Sequence, residues 1–447
     1  MSDLVDLLEV RSPHIAEIID GWHISRGELL RWGKSTAVYV RKEFPDDEVV
    51  GVYTDNNLYG LILMLGVLMA GKTVVGLPPF MKGPLLNSAI EASGCEAFIG
   101  YGTDLDHSSP GNLLFQLGHP DDYVRVPLGN IAVFSSGTTG APKLQSITTS
   151  FLDQDNSEKV TEIMNDALGI AGTKSIYYPA PMATTLAVHL MLIAMGHVVV
   201  SPSKPLTHAE IVKEATDSGC TVLAVRPSMI EKMMEKGITN LGTIKALMSS
   251  TGRLDPRHVA YAKKIGVEKV VDVYSTTDLG FVGVRDSLDK PFTLNPAVKA
   301  TFESDGTWTA TSPGVNGVWV NGVLEDLNGS THLDDIVEEC DGGLRLIRRS
   351  PYKVKVSGFT VVTPIVRDAI LGIDGISDAV VYSSRVGDKD TLVAEYTGRV
   401  YTDDRLTQIL ATSLPSYSIP KVIRNVDQID CEKGVVVGNE HFAVPSP

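Results

Sequence analysis

The stretch best equipped for chemistry is FSSGTTGAPK, residues 134–143. Two serines, two threonines, two glycines and a lysine fall within ten positions, so backbone N–H groups, hydroxyls and an ammonium can converge on an anion. The preceding run GNIAVF is β-rich, which puts the loop at the carboxyl end of a strand, where α/β sheets hold their ligands. It is not the GxxxxGK[ST] loop of nucleotide hydrolases, because it closes on Ala141, Pro142 and Lys143 and then continues with Leu144.

Such a loop needs a sheet behind it, and the chain encodes one. EVVGVYTD reads as a strand, NNLYGLILMLGVLMAG as a helix ending on Gly71, and KTVVGLPP as a second strand, together a βαβ unit and hence parallel pairing. The alternation recurs: residues 176–179 lead into a helical stretch over 186–195 and an apolar run over 197–201. Helix-like segments at 209–218 and 257–265 are followed by CTVLAV and EKVVDVY. Helices packed on sheet faces are the expected architecture. After Phe281 the texture turns to Gly-punctuated hairpins such as TWTATSPGVNGVWVNGVL. A basic run, RLIRRSPYKVKVSGFTVV, then introduces a final segment with short strands and one expected helix over 404–414.

Length and composition exclude several classes. With 447 residues, 43% hydrophobic and 21% charged, the chain is globular and long enough for two or three folding units. A net charge of −15 repels phosphate backbones and anionic lipid, so nucleic acid is not the expected partner. Cys95, Cys220, Cys340 and Cys431 are far apart and form no CxxC pair, which excludes a zinc or disulfide framework and points to a reducing cytoplasm. The N-terminus has no basic-then-apolar leader. The longest apolar stretches, 58–70 and 186–200, fall short of the roughly 20 residues of a membrane span, so they are expected to be core helices.

FSSGTTGAPK resembles the phosphate loop of the adenylate-forming superfamily, usually [YF]TSGTTGxPKG, which includes acyl- and aryl-CoA ligases, peptide-synthetase adenylation domains and luciferases. Four more segments are similar to the family's motifs and keep its order. LMAGKTVVGLPP resembles L-x-A-G-x-x-x-x-P, YSTTDLG at 274–280 resembles YGxTE, LDDIV at 333–337 stands in the place of TGDLV, and 341–361 follows DGxLxxxGRxDxxVKxxGxRV in part. The resemblance implies an α/β fold: a large N-terminal domain of parallel-rich sheets with packed helices over 1–349, its β-rich portion at about 282–349, and a small mobile α+β C-terminal domain over 350–447. It implies ATP-dependent joining of a small-molecule carboxylic acid to AMP with release of pyrophosphate. The acyl group then passes to a thiol, that of CoA or the phosphopantetheine of an acyl carrier protein.

Site roles carry over from the resemblance by position. Ser135, Ser136, Gly137, Thr138, Thr139, Gly140 and Lys143 would hold the β- and γ-phosphates, Lys143 also acting in catalysis, and Tyr274 would stack on adenine. Gly252, Asp272, Ser275 and Thr276 would complete the nucleotide site. Thr277 would approach the α-phosphate, Asp278 would hold Mg²⁺, Asp335 would grip the ribose hydroxyls with support from Arg349, and Lys355 would serve the second half-reaction. Met182, Ala183 and Thr184 stand where the family meets its acid, and because Ala183 offers no carboxylate for a substrate ammonium, an aryl or acyl acid without a free α-amino group is expected.

This chain also departs from the pattern. Asp278 replaces the usual glutamate, shortening the reach to the metal by one methylene. Pro351 occupies the hinge position, Leu144 replaces the glycine after the loop lysine, and Thr149 stands where a histidine is common. The C-terminal PxTxxGK motif is replaced by IDCEKGVVVG, where Lys433 is the nearby ammonium. Slow adenylation is therefore expected unless Lys433 substitutes, and a scaffold that binds nucleotide or acyl-adenylate, or regulates a partner, stays open as the alternative. His189, on an apolar helix, is expected to be a packed core residue. Such departures suit secondary metabolism.

If the loop holds phosphates, Lys143→Ala should weaken ATP–Mg²⁺ binding at least about tenfold in a calorimetric titration while leaving thermal unfolding unchanged, since an exposed loop carries little core stability. Unaltered affinity would remove the loop from the mechanism.

Overall fold

The structure is a computed structural model describing residues 3–10, 15–19, 21–54, 56–77, 84–101, 118–135, 143–169, 175–180, 182–204, 206–303, 306–320, 323–333, 335–341, 343–348, 353–356, 359–386, 389–427 and 429. Among these, two large sheets dominate. In the first, Ala97–Tyr101, Val49–Thr54, Thr73–Leu77 and Ile131–Ser135 run parallel. Lys143–Ile147, Val315–Val320 and Val323–Asp326 then continue it antiparallel. The second has a parallel body of Ile15–Ile19, Val198–Ser201, Ser175–Tyr177, Val222–Val225, Ala246–Ser249 and Lys269–Thr276. Gly280–Arg285, Phe292–Leu294, Gly343–Arg348 and Ile336–Cys340 extend it antiparallel, and Trp22–Ser25 closes its other edge.

The expected βαβ unit is present: Val49–Thr54, the helix Asn57–Met69 and Thr73–Leu77 follow one another, with the strands paired in parallel. Asn56 caps the helix by accepting hydrogen bonds from the amides of Leu58 and Tyr59, and Gly71, at φ +82°, turns the chain back to the sheet. The apolar run 186–200 divides, because Gly196 at φ +88° ends the helix Met182–Ala194 and starts the strand Val198–Ser201. Both apolar helices pack on strands and on each other, and the core around them draws on both sheets, from Val52 and Val74 to Val199 and Val271. A helix covered on every side has no use for a polar face, which is why these two read as uniformly apolar. No helix of the described residues is long and apolar enough to cross a membrane.

Residues 280–348 are woven into this frame, feeding strands to both large sheets and forming a third small sheet, Lys299–Phe302, Trp308–Thr311 and Ser330–Leu333. From 353 onward a hairpin precedes a three-stranded sheet of Ile376–Val386, Lys389–Gly398 and Val422–Asn425, and a core built from Val354, Ile370, Leu392, Leu406 and their neighbours contains no residue before 354. This segment carries two described helices, Thr363–Leu371 and Asp403–Leu410, where one was expected. The first escapes sequence reading because FTVV runs straight into it and its N-cap is Val362, which supplies no capping side chain.

One contact sets the spacing of the site. A Cβ built on Gly76, in Thr73–Leu77, would overlap the carbonyl of Ala183 at the start of the helix Met182–Ala194, so this helix enters directly over bare backbone. Asn57 Nδ2 donates to the carbonyl of Pro202 at 2.7 Å, tying the other apolar helix to the far end of the same connection. Gly76→Ala should therefore destabilise the protein by about 2–3 kcal/mol through overpacking against backbone that cannot rotate away, read as a lower urea midpoint at constant slope.

Candidate active site

A cavity of about 350 Å³ lies where the two sheets approach one another. Strands contribute Val133 and Ile147 from one sheet and Met248, Val273, Ser275 and Phe281 from the other. Two helix faces complete it: Thr184, Thr185, Val188, Met191 and Met195 from the segment that begins over Gly76, and Asn156, Val160 and Met164 at four-residue spacing on Gln154–Leu168. The wall is mostly apolar, with polar groups gathered on the turn after Lys269–Thr276.

Six expected site residues line this cavity: Thr184, Ser275, Thr276, Thr277, Asp278 and Asp335. They come from three separate segments, so the fold brings together what the sequence spreads over 150 positions or so. Thr277 and Asp278 occupy the hairpin turn between Lys269–Thr276 and Gly280–Arg285, and a register shift after Tyr274 re-aims the strand just before it. Thr276 Oγ1 accepts the amide of Leu279 at 3.0 Å, Asn295 Nδ2 donates to the Phe281 carbonyl at 3.3 Å, and Ser312 Oγ donates to the Leu279 carbonyl at 3.4 Å. The turn is thus clamped from within and from the β-rich segment, a support not anticipated from sequence.

Tyr274 is placed differently from the expectation. Its side chain is 1% exposed, packed at 5.5 Å between ring centroids from Phe292 and 6.4 Å from Trp308, so in this packing its ring offers no open face to adenine. Its hydroxyl instead donates to Asp335 Oδ2 at 2.8 Å, which makes it a positioning residue for the carboxylate expected to grip ribose. Asp272 also points to protein: Arg285 donates to its Oδ2 through Nε at 2.9 Å and Nη2 at 2.7 Å, and the guanidinium lies 4.3 Å over the Phe292 ring. Gly252 sits beside Pro227 and Ala183 over Gly76, and neither lines the cavity.

The remaining expected residues divide into two groups. Ser135 and Lys143 are Cα partners at the mouth of an antiparallel hairpin, Met182 opens its helix, and Lys355 lies in the strand Lys353–Val356, but their side chains are outside the described set. Ser136, Gly137, Thr138, Thr139, Gly140, Arg349 and Lys433 lie outside the described residues altogether.

Two further features of the wall were not legible. Tyr178 borders the cavity edge-on to the buried His189, with ring centroids 5.1 Å apart, and burial pushes its phenol up to about 12, so it stays neutral at physiological pH. Thr251 lines the cavity at φ +67°, a left-handed conformation strained for a β-branched residue, and its buried Oγ1 has no hydrogen-bond partner among the described residues. Thr251→Gly should remove both burdens and raise stability by about 1 kcal/mol after the entropy of the added glycine is counted, measured as an increased urea midpoint.

Residues 129–303 match the family described as AMP-binding enzyme. Surfactin synthase subunit 2 of Bacillus subtilis is 21% identical over 442 residues, covering 86% of this chain, which spans only 12% of that protein's length. VraA of Staphylococcus epidermidis is 22% identical over 452 residues, covering 96% of this chain and 94% of its own. The solved o-succinylbenzoate CoA synthetase of Bacillus subtilis, bound to a product analogue, superposes with a TM-score of 0.78 at 14% identity over 98% of this chain and 97% of that one. The match to AMP-binding enzyme takes in both the segment 134–143 and the turn 275–278 that lines the cavity, so this part of the chain is similar to AMP-binding enzymes.

Proposed function

We propose that this chain activates a carboxylic acid lacking a free α-amino group, aryl or acyl in character, by joining it to the α-phosphate of ATP. A carboxylate oxygen attacks phosphorus, the bond to pyrophosphate breaks, and the acyl-adenylate formed is then attacked by a thiol, of CoA or of a carrier protein's phosphopantetheine, with AMP leaving. The observation that carries the reading is a single cavity whose polar turn, 275–278 with Asp335, adjoins a wall of valine, methionine and phenylalanine side chains. One end suits a nucleotide and the other an apolar acyl group.

The charge of the wall supports the choice of acid. Its ionisable carboxylates are Asp278 and Asp335, the second already accepting from Tyr274, while Asp272, which could otherwise have met an ammonium, is paired with Arg285. A substrate ammonium would be desolvated against this apolar surface without a dedicated partner. Among the described residues no group of three or more His, Cys, Asp or Glu side chains gathers. Asp278 alone is nonetheless a fitting partner for Mg²⁺, which keeps part of its water and is held by one or two carboxylates together with substrate phosphates. There the metal would neutralise phosphate charge as the carboxylate approaches.

The domain division at about residue 350 belongs to the same proposal: the separate core after 354 supports a small unit that serves the two half-reactions in turn. The likenesses to a CoA synthetase and to a solved NRPS adenylation–PCP di-domain support either thiol acceptor.

Acid-dependent exchange of labelled pyrophosphate into ATP tests the reading. 3-Phenylpropanoic acid should support exchange with a kcat/KM at least about tenfold above that of phenylalanine, the penalty of an unpaired ammonium. A preference for the amino acid would overturn the pocket assignment. ATP binding without exchange by any acid would establish the scaffold alternative instead.

A further inference from the structure

One face of the helix Met182–Ala194 runs the length of the cavity. Thr184, Val188, Met191 and Met195 line it at spacings of three and four residues, and the Met195 amide, donating to the Met191 carbonyl at 2.9 Å, carries the helical turn to that point. Met195 stands eleven residues beyond Thr184, a rise of about 16 Å. A round cavity of about 350 Å³ would reach little more than half as far, so this one is slender.

Its two ends differ. The helix starts over Gly76, and the residue before that glycine, Val75, pairs in parallel with Ala132 of Ile131–Ser135, the strand that leads into 134–143. Thr184 is exposed there, Val188 and Met191 are half-buried, and Met195 is 7% exposed while still lining the cavity. Along this helix the cavity therefore opens at Thr184 and closes at Met195. The closed end is also fixed from behind: Gly196 at φ +88° stops the helix, and the buried Arg26 donates through Nη2 to the carbonyls of Ile193 at 3.4 Å and His197 at 3.0 Å. With the backbone held, the Met195 side chain sets the depth. No Asp, Glu, Lys or Arg occurs from 182 to 195, so nothing on this segment calls for a charged group at that end.

Side chains on a helix lean toward its start, so Met195 takes part of that rise and leaves about 10–12 Å for a ligand. At about 1.3 Å per carbon, the advance of an extended chain with bonds of about 1.5 Å, this holds about eight or nine carbons. We propose that Met195 is a specificity-determining residue that sets the length of the acid, and that the acid is an unbranched, medium-length acyl chain lying along the helix with its carboxyl group at the Thr184 end. This rests on the acid-activation reading above and narrows its aryl or acyl acids to slender ones of one length range. Methionine suits the end of such a chain, since its unbranched thioether offers contact without a strong polar group.

Calorimetric titration of the full chain with the even-numbered straight-chain acids from butanoic to dodecanoic tests this. Affinity should rise about threefold to fourfold per added methylene as far as octanoic acid, and level off or fall beyond decanoic acid. Met195→Ala should raise the ratio of dodecanoic to hexanoic affinity about tenfold or more, and Met195→Phe should lower the ratio of octanoic to butanoic affinity by as much. A ceiling at hexanoic acid or below, a rise that continues through dodecanoic acid, a flat series, a ratio unmoved in either variant that folds, or no binding by any of the acids would each overturn the proposal. Should neither variant fold, the series on the unaltered protein decides alone. Pyrophosphate exchange with the same acids separates the two readings. Acids bound with this length profile that drive no exchange defeat acid activation and leave the role of Met195 standing, whereas exchange with 3-phenylpropanoic acid beside a flat series defeats only the length rule.

Discussion

The approach of the Ala183 carbonyl onto Gly76 is the constraint around which the rest is arranged. Two sheets can share one core only if the helices between them are apolar on every side and come close enough to leave no gap. The helix Met182–Ala194 meets both conditions because the strand beneath its first turn lacks a side chain at the point of contact. Its entry point fixes where Thr184, Thr185 and Val188 stand, and with them one wall of the cavity. A backbone contact with no chemistry of its own therefore sets the width of the place where chemistry is proposed.

The opposite wall is held by polar bonds rather than by close packing. Tyr274, buried with Phe292 and Trp308, anchors Asp335 by its hydroxyl, and Arg285 anchors Asp272 one pleat away. Asn295 and Ser312 hold the backbone of the turn between them. Arg285, Asn295, Ser312 and the rings packed on Tyr274 come from the β-rich part of the chain, so the hairpins after residue 280 serve as a brace for the strand ends of the α/β part. Carboxylates held in this way need little reorganisation when a nucleotide arrives.

Much of this was legible in the sequence, and the gaps have physical causes. The βαβ unit at 48–79 could be read because its helix is bounded by Asn56 and Gly71 and its strands carry β-branched runs. The helix Gln154–Leu168 could not, since DQDNSEK has the composition of a polar loop and its inward stripe of Asn156, Val160 and Met164 begins with an amide. The family resemblance puts Tyr274 and Asp335 in one site, but only tertiary packing shows that they bond to each other, sixty-one positions apart in the chain. The strain at Thr251 leaves no trace in sequence at all, because a threonine announces a strand or a cap rather than a left-handed turn.

The return of Val315–Val320 to pair with Lys143–Ile147 bears on how the chain is made. Until synthesis has passed that point, the paired strands Ile131–Ser135 and Lys143–Ile147 present an open edge, and the sheet behind them stays unfinished. Pairing across so long a span is slow to find, and a growing chain with a free strand edge invites association with others like itself. The same weave that braces the site thus makes the nascent protein dependent on protection, with that strand pair as the place where that protection is needed first.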